Sequence, residues 1–310
     1  MLAQLLRLKF PLIALCLIFA PHSGSAQQLY IKTFGKPGAK PLVFLHGGPG
    51  YNSANFEGTT AATLADKGFF VVVYDRRGEG RSTDPAAAFT FSQTFADLDS
   101  ICGALQLRRP TLIGHSFGGV IGTLYAEKFP SKVGSLILVA APVSLQETFR
   151  TILHSSEALY RQRNDSANLK YIDMLRKMDT SLLQYSSFTF RHAMQNGFYS
   201  PKNRSEEAKK LFAKLMADSL LKKQAASMSF PAPVGFHKNE HYTSIHLKGS
   251  LQKLVASGLP VYGLYGREDG LYSAQQVDEL REIVGRDRLL YLDDCSHNVF
   301  IDQQATLLQH

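Results

Sequence analysis

One serine lies in a sequence pattern that could make it a nucleophile. Gly114-His115-Ser116-Phe117-Gly118 fits the G-x-S-x-G pattern and stands between a short apolar run and a segment with helical character. In that context the chain turns sharply and presents the serine at the carboxyl end of a strand. We therefore expect Ser116 to attack a carbonyl carbon, provided that a nearby base removes its proton.

The base and the acid that such a serine needs are predicted from their places after later strands. His297 follows the apolar run Leu289–Leu292 after a short loop, and Asp269 follows the run Val261–Tyr265. The acid would fix the tautomer of the histidine and stabilise its charged form. The chain order is then nucleophile, acid, base. The other acids close to these positions are Glu268, Asp293 and Asp294.

A glycine-rich loop is a candidate for stabilising negative charge. His46-Gly47-Gly48-Pro49-Gly50 follows the first buried apolar run. Acyl transfer develops charge on a carbonyl oxygen, which backbone N–H groups can receive if they are already in place. We assign the oxyanion hole to the amides of Gly48 and Phe117, because Pro49 has no N–H to donate.

The elements that must position these residues alternate in type along the chain. Apolar runs without polar alternation indicate strands buried on both faces, as in a parallel sheet. The segments between them are long enough for helices, so we predict a doubly wound, mostly parallel α/β sheet. The runs are Pro41–Leu45, Phe69–Tyr74, Thr111–Ile113, Leu136–Val139, Val261–Tyr265 and Leu289–Leu292.

The alternation stops in the middle of the chain. Residues 143–256, which we call the cap segment, have a helical and polar pattern, and Pro231–Gly235 within them is predicted to be a loop. The core would then consist of residues 27–142 and 257–310. The cap segment carries 17 Lys/Arg and 9 Asp/Glu, but it has no tight basic run, so nucleic acid is not an expected partner.

The first 26 residues have the features of a signal peptide. Arg7 and Lys9 precede an apolar run at Leu12–Ala20, and small residues occupy Gly24 and Ala26. The run is too short to span ~30 Å of hydrocarbon, so we expect cleavage near Ala26, export to the periplasm or medium, and no stable membrane anchor. Cys102 and Cys295 would remain, and we favour two free or buried thiols.

Several motifs resemble one known superfamily. HGGPG at 46–50, YDRRGEGRS at 74–82, GHSFGG at 114–119, GRED at 266–269 and SHNVF at 296–300 are similar to the α/β-hydrolases. HGGPG with DRRGEGRS most resembles the proline iminopeptidase branch, whose members remove N-terminal residues and hold the free amine with acidic cap residues. The resemblance implies that Asp75–Ser82 supports the nucleophile and oxyanion loops. The usual Gly-Gly-Ser-Trp-Gly of that branch is replaced by GHSFG, which esterases and carbon–carbon bond hydrolases share, and the chain has no tryptophan.

The function expected from these residues is hydrolysis of a small amide or ester through an acyl-enzyme. We expect no cofactor and no metal, and a small molecule or short peptide as substrate. An enzyme similar to the proline iminopeptidases is the first interpretation, and a general esterase or carbon–carbon bond hydrolase is the alternative. A third is a weakly catalytic protein that binds a small ligand. The acids that could hold a substrate amine are Glu157, Glu206, Glu207 and Glu240.

Overall fold

A computed structural model describes residues 29–309, and in that part of the chain seven strands form one sheet. The spatial order is β1-β3-β2-β4-β5-β6-β7, with β1 antiparallel to β3 and every other neighbouring pair parallel. The strands are β1 Ile31–Phe34, β2 Lys40–Leu45, β3 Phe69–Tyr74, β4 Thr111–His115, β5 Ser135–Val139, β6 Val261–Gly266 and β7 Leu289–Leu292. The predicted doubly wound, mostly parallel sheet is confirmed.

The central strands are buried on both faces, which explains their uninterrupted apolar sequences. In β3, Val72 and Tyr74 pack in the core on one face of the sheet, while Val71 and Val73 pack in the core on the other. Each parallel strand ends at the same edge, so the residues after β2, β4, β6 and β7 meet there. Those residues include all the predicted site residues.

The helices fill the connections on both faces. Several begin at a hydroxyl side chain that accepts a hydrogen bond from the first turn, as Thr90, Ser144 and Ser273 do. The helices are α1 Ala54–Phe56, α2 Ala62–Asp66, α3 Phe91–Ala104, α4 Phe117–Lys128, α5 Leu145–Gln162, α6 Ser166–Arg176, α7 Leu183–Gln195, α8 Glu206–Ala217, α9 Ser219–Ala225, α10 Pro231–Glu240, α11 Lys248–Ala256, α12 Ala274–Val284, α13 Val299–Asp302 and α14 Gln304–Leu307.

The cap segment contains helices α5 to α11, between β5 and β6. Helices α5 and α7 are joined by aromatic edge contacts from Phe149 to Tyr185 and to Phe190. Such T-shaped pairs add to the apolar area that the two helices bury.

The loop predicted at Pro231–Gly235 is wrong, because these residues form the first half of α10. Pro231 takes the first helical position, where its fixed φ fits and its missing N–H has no intrahelical partner in any case. Pro233 is still in the first turn, where the same argument holds. Two prolines that suggested a break therefore start a helix.

The strand β1 was not predicted. Its sequence Ile-Lys-Thr-Phe is short, and three of its four residues are exposed. It lies at the edge of the sheet, where an antiparallel strand needs no continuous apolar run.

Cys102 and Cys295 are both free thiols, as favoured from the sequence. None of the helices in residues 29–309 has the length and apolar character needed to cross a membrane. The predicted signal peptide, residues 1–26, lies outside the described residues.

Candidate active site

Ser116 occupies the single position between β4 and α4. Its backbone has φ 51° and ψ −123°, a region that residues with a Cβ rarely adopt. The amide of Ser116 donates to the carbonyl oxygen of Val139 at 2.9 Å, and its own carbonyl accepts from Gly119 at 2.8 Å. The turn is thus held by β5 on one side and by the first turn of α4 on the other.

Two glycines make this turn possible. A Cβ on Gly118 would collide with the carbonyl oxygen of Leu45, and a Cβ on Gly114 would collide with the backbone of Gly119. The strand β2, the turn and α4 therefore approach more closely than side chains would permit. This close packing places Gly118 directly against the end of β2 and the first residue of the loop that follows it.

His297 and Asp269 meet in the same region. His297 Nδ1 lies 2.8 Å from Asp269 Oδ2, and the two residues are 4% and 2% exposed. The second carboxylate oxygen of Asp269 accepts from the amide of Leu271 at 3.1 Å. The carboxylate is therefore fixed by its own loop while it orients the imidazole, which leaves Nε2 of His297 as the nitrogen directed elsewhere.

The structure also places the alternative acids. Asp293 is exposed and pairs with Arg267 at 2.9 Å, while Asp294 is exposed. Glu268 accepts a hydrogen bond from the amide of Lys202 at 2.6 Å. Among the described residues, Asp269 is the carboxylate hydrogen-bonded to the His297 ring.

Ser116 and His297 share a neighbour that the sequence reasoning missed. The ring of Tyr272 stacks near that of His297, with 6.3 Å between centroids, and Tyr272 lines a cavity together with Ser116. Its hydroxyl donates to the carbonyl oxygen of Ala140 at 2.8 Å. Burial raises the pKa of Tyr272 well above its usual value, so this hydroxyl stays protonated. Its position three residues after Asp269 was the available signal.

The loop after β2 is held by a buried ion pair. Arg76 is bonded through Nε to Glu79 at 2.6 Å, and its other nitrogens donate to the carbonyl oxygens of His46 and Gly47. Glu79 also accepts from the amide of Gly50. The guanidinium lies 5.4 Å from the centre of the Phe117 ring. The DRRGEGRS motif thus contacts both the glycine-rich loop after β2 and the ring of Phe117, which follows Ser116.

The two predicted oxyanion donors line the same cavity as Ser116. Gly48 and Phe117 both contribute to its wall, and within residues 29–309 neither amide has a hydrogen-bond acceptor. Phe117 begins α4, where the first N–H groups are free and the helix dipole is positive. Both residues therefore keep a backbone donor that no group in the described part of the chain uses.

The cavity beside Ser116 is small and mostly apolar. Its volume is about 20 Å³, near the minimum that holds one water-sized group. Thr148 from α5 and Phe190 from α7 contribute to it, although nothing in the sequence indicated either. The lining residues are Gly48, Ser116, Phe117, Pro142, Leu145, Thr148, Phe190, Tyr242, Leu271 and Tyr272.

The acids considered for an amine site do not line this cavity. Glu157 pairs with Arg176 and Arg161, which lower the pKa of its carboxyl to about 2. Glu206 is exposed and pairs with Lys209, and Glu207 is exposed. Glu240 accepts from the amide of Phe91 at 2.7 Å.

A larger cavity of about 470 Å³ lies away from this site, and none of the predicted site residues lines it. Its wall includes Leu42, Ile113, Leu264 and Leu307. Over the described residues, no cluster of three or more His, Cys, Asp or Glu side chains could bind a metal ion.

Known proteins resemble this chain over most of its length. Residues 40–304 match a family model described as alpha/beta hydrolase fold. The chain is 25% identical to the "Putative proline iminopeptidase" of Mycoplasma pneumoniae over 315 residues, which cover 93% of this chain and 94% of that protein.

Two solved structures share the fold. A proline iminopeptidase-related protein from Thermus thermophilus has a TM-score of 0.62 and 24% identity, covering 91% of this chain and 90% of that one. An esterase from Exiguobacterium antarcticum has a TM-score of 0.56 and 18% identity, covering 91% and 92%.

Proposed function

The chain belongs to the alpha/beta hydrolase fold family, and on that premise we propose that it is a serine hydrolase of small carboxylic esters. The observation that carries the proposal is the apolar cavity in which Ser116, Gly48 and Phe117 meet. The reaction needs a nucleophile, a base, an orienting acid and oxyanion donors, and each has a residue at this edge of the sheet.

In the proposed reaction His297 Nε2 removes the hydroxyl proton as Ser116 Oγ attacks the ester carbonyl carbon. The charge that forms on the carbonyl oxygen is received by the amides of Gly48 and Phe117. Asp269 stabilises the imidazolium. The imidazolium then gives its proton to the departing alcohol, which leaves an acyl group on Ser116.

Deacylation repeats these steps with water as the nucleophile. His297 removes a proton from the water as its oxygen attacks the acyl carbonyl, and the same two amides receive the oxyanion. Collapse of the second tetrahedral intermediate returns the proton to Ser116 and releases the carboxylic acid.

The lining of the cavity favours an ester over an N-terminal amide. An aminopeptidase binds a protonated amine beside the scissile bond, and a buried ammonium is costly unless acidic groups meet it. The acids of the cap segment that could do so are engaged with cations or with backbone amides, or are exposed. An uncharged short acyl group suits the apolar wall better.

An aminopeptidase is the second candidate, because the full-length relative from Mycoplasma pneumoniae carries that name. If this activity is present, the amine would meet groups outside the cavity wall. The two candidates differ in one requirement, which is the positive charge on the substrate.

A side-by-side assay tests the proposal. The purified protein is given p-nitrophenyl acetate, p-nitrophenyl butyrate, proline arylamide and N-acetylproline arylamide, with Ser116→Ala as the matched control. We expect cleavage of the esters and labelling of Ser116 by a fluorophosphonate probe, both lost in Ser116→Ala. Cleavage of proline arylamide alone, abolished by N-acetylation, would contradict the ester proposal and establish the second candidate. A wild-type protein that neither labels nor cleaves would contradict the hydrolase proposal and favour the interpretation as a weakly catalytic ligand-binding protein.

A further inference from the structure

The wall of the Ser116 cavity contains one polar side chain whose hydrogen bond is missing. Thr148 lies on α5, is 1% exposed, and lines the cavity with Ser116. Within residues 29–309 its Oγ1 has no hydrogen-bond partner. Buried hydroxyls are nearly always bonded, so an unpaired one on a residue that lines the cavity needs an explanation.

The helix itself offers Thr148 a partner that the hydroxyl does not use. A threonine within a helix commonly donates to the carbonyl oxygen four residues earlier. That carbonyl belongs to Ser144, and it accepts the backbone amide of Thr148 at 3.0 Å. The hydroxyl of Thr123 on α4 makes the usual contact, to Gly119 at 2.8 Å. Thr148 therefore keeps both its donor and its acceptor capacity for a group in the cavity.

The other polar groups of the wall are already assigned. The hydroxyl of Tyr272 donates to Ala140, and that of Tyr242 is hydrogen-bonded to Ser186. The hydroxyl of Ser116 is the proposed nucleophile, and the amides of Gly48 and Phe117 are proposed to receive the oxyanion. Thr148 is left to contact a part of the substrate that does not react. Since Thr148 and Ser116 line the same cavity, that part is the acyl group next to the scissile carbonyl.

We propose that Thr148 Oγ1 hydrogen-bonds a hydroxyl on the acyl group, so that the preferred substrates are esters of short hydroxy acids of two or three carbons. This inference rests on the proposed ester hydrolase function and narrows it. A site built to bond a substrate hydroxyl discriminates strongly against the analogue that lacks it, because the buried group of the protein is then left unpaired.

Two pairs of isosteric substrates test the contact. Glycolyl and propionyl esters differ by a hydroxyl in place of a methyl group, as do 3-hydroxypropionyl and butyryl esters. Thr148→Val makes the same exchange on the protein, and Thr148→Ser retains the hydroxyl. The quantity compared between variants is the ratio of kcat/KM for the hydroxy ester to that for its isostere, which cancels the intrinsic reactivity of each ester.

We expect this ratio to fall by about 10- to 100-fold in Thr148→Val for at least one pair and to remain within about threefold of wild type in Thr148→Ser. Thr189→Val is the matched control, because Thr189 on α7 is equally buried and unpaired but does not line the cavity. Its ratios should equal those of wild type.

The outcomes separate the two proposals. If wild type cleaves the esters and Thr148→Val changes neither ratio by more than twofold, the inference about Thr148 is wrong while the ester hydrolase function stands. An equal fall in Thr148→Val and Thr189→Val would also overturn it, since the effect would then be general loosening of the cap helices. A wild-type protein that cleaves none of the four esters would overturn the proposed function and this inference with it.

Discussion

Nε2 of His115 lies 3.1 Å from the carbonyl oxygen of His297, so the residue before the proposed nucleophile is bonded to the backbone of the proposed base. Burial holds the pKa of His115 well below its usual value, and His297 lowers it further. His115 is therefore neutral near pH 7, and its Nε2–H can donate to this carbonyl.

Replacing His115 is expected to disturb catalysis through His297. His115→Ala should lower kcat on short esters by about 10- to 100-fold, with a smaller change in KM, because His297 loses part of its support and small displacements are costly. His154→Ala, an exposed change on α5, is the control and should leave both constants unchanged. A lower melting temperature with unaltered kcat would mean that His115 is only a packing residue.

The effects on kcat of replacing Ser116, His297 and Asp269 should not be additive. Ser116→Ala, His297→Ala and Asp269→Asn should each reduce kcat by about 10³- to 10⁶-fold, and Ser116→Ala with His297→Ala should be little worse than either alone, because the residues act as a unit. Circular dichroism checks that each variant is folded. Asp294→Asn is the matched control. If Asp269→Asn stayed active while Asp294→Asn did not, the acid would be misassigned.

Removing one partner of the Arg76–Glu79 ion pair should destabilise the protein more than replacing both partners by uncharged residues. Both side chains are buried, so Arg76→Ala leaves an unpaired carboxylate and should lower the free energy of unfolding by about 3–5 kcal/mol. Arg76→Ala with Glu79→Gln removes that charge and should recover part of the loss. Urea unfolding measures both, and simple additivity of the two single changes would contradict this account.

Asp302 should make stability depend on pH. Burial raises the pKa of Asp302 to about 6, against the opposing effect of its hydrogen bond from the amide of Ser296. Glu268 adds to the rise in this pKa, whereas Arg204 and His297 oppose it. Between pH about 4 and 6 the folded protein therefore binds this proton more tightly than the unfolded chain does, and the contribution of Asp302 to stability falls as the pH rises.

Because the contribution of Asp302 to stability falls as the pH rises, Asp302→Asn should differ from wild type in stability at high pH but not at low pH. The variant should exceed wild type by about 1–3 kcal/mol in unfolding free energy at pH 8 and match it at pH 4, where the wild-type carboxyl is already neutral. Urea unfolding at the two pH values measures the difference, with the exposed Asp287→Asn as control. A difference of equal size at both pH values would show that the charge is not the cause.

We also propose that the protein is exported after removal of residues 1–26. N-terminal sequencing of protein from its native host should then give Gln27 as the first residue, on material recovered outside the cytoplasm. Intact Met1 on soluble cytoplasmic protein would contradict this.

The elements of the fold that could be predicted are those whose burial in the folded protein requires a recognisable local pattern of residue types. The run Phe69–Tyr74 is apolar throughout because both faces of β3 are buried, and its bounds were predicted without error. The strand β1 escaped notice because an exposed edge places no such demand on Ile31–Phe34. Pro231 was misleading because the same residue type suits a loop and the first turn of a helix.

The residues of the candidate site likewise fall into those that could be predicted from the sequence and those that could not. Asp269 and His297 follow strands, so their meeting could be predicted from the shared edge of a parallel sheet. Thr148 and Phe190 reach the cavity only through the packing of α5 and α7, which depends on contacts far apart in sequence. For the same reason, the acids suggested for an amine site could be named from the sequence but not located.

The backbone of Ser116 has a consequence for how this protein can be engineered or can drift. Ser116 is held at φ 51°, where the backbone strain of a residue with a side chain costs of order 1–3 kcal/mol. Glycine adopts this conformation without that strain. A library of variants selected only for thermal stability should therefore be enriched in glycine at position 116, and the selected proteins should be stable but inactive. Serine at position 116 will be retained only when the variants are selected for catalytic activity.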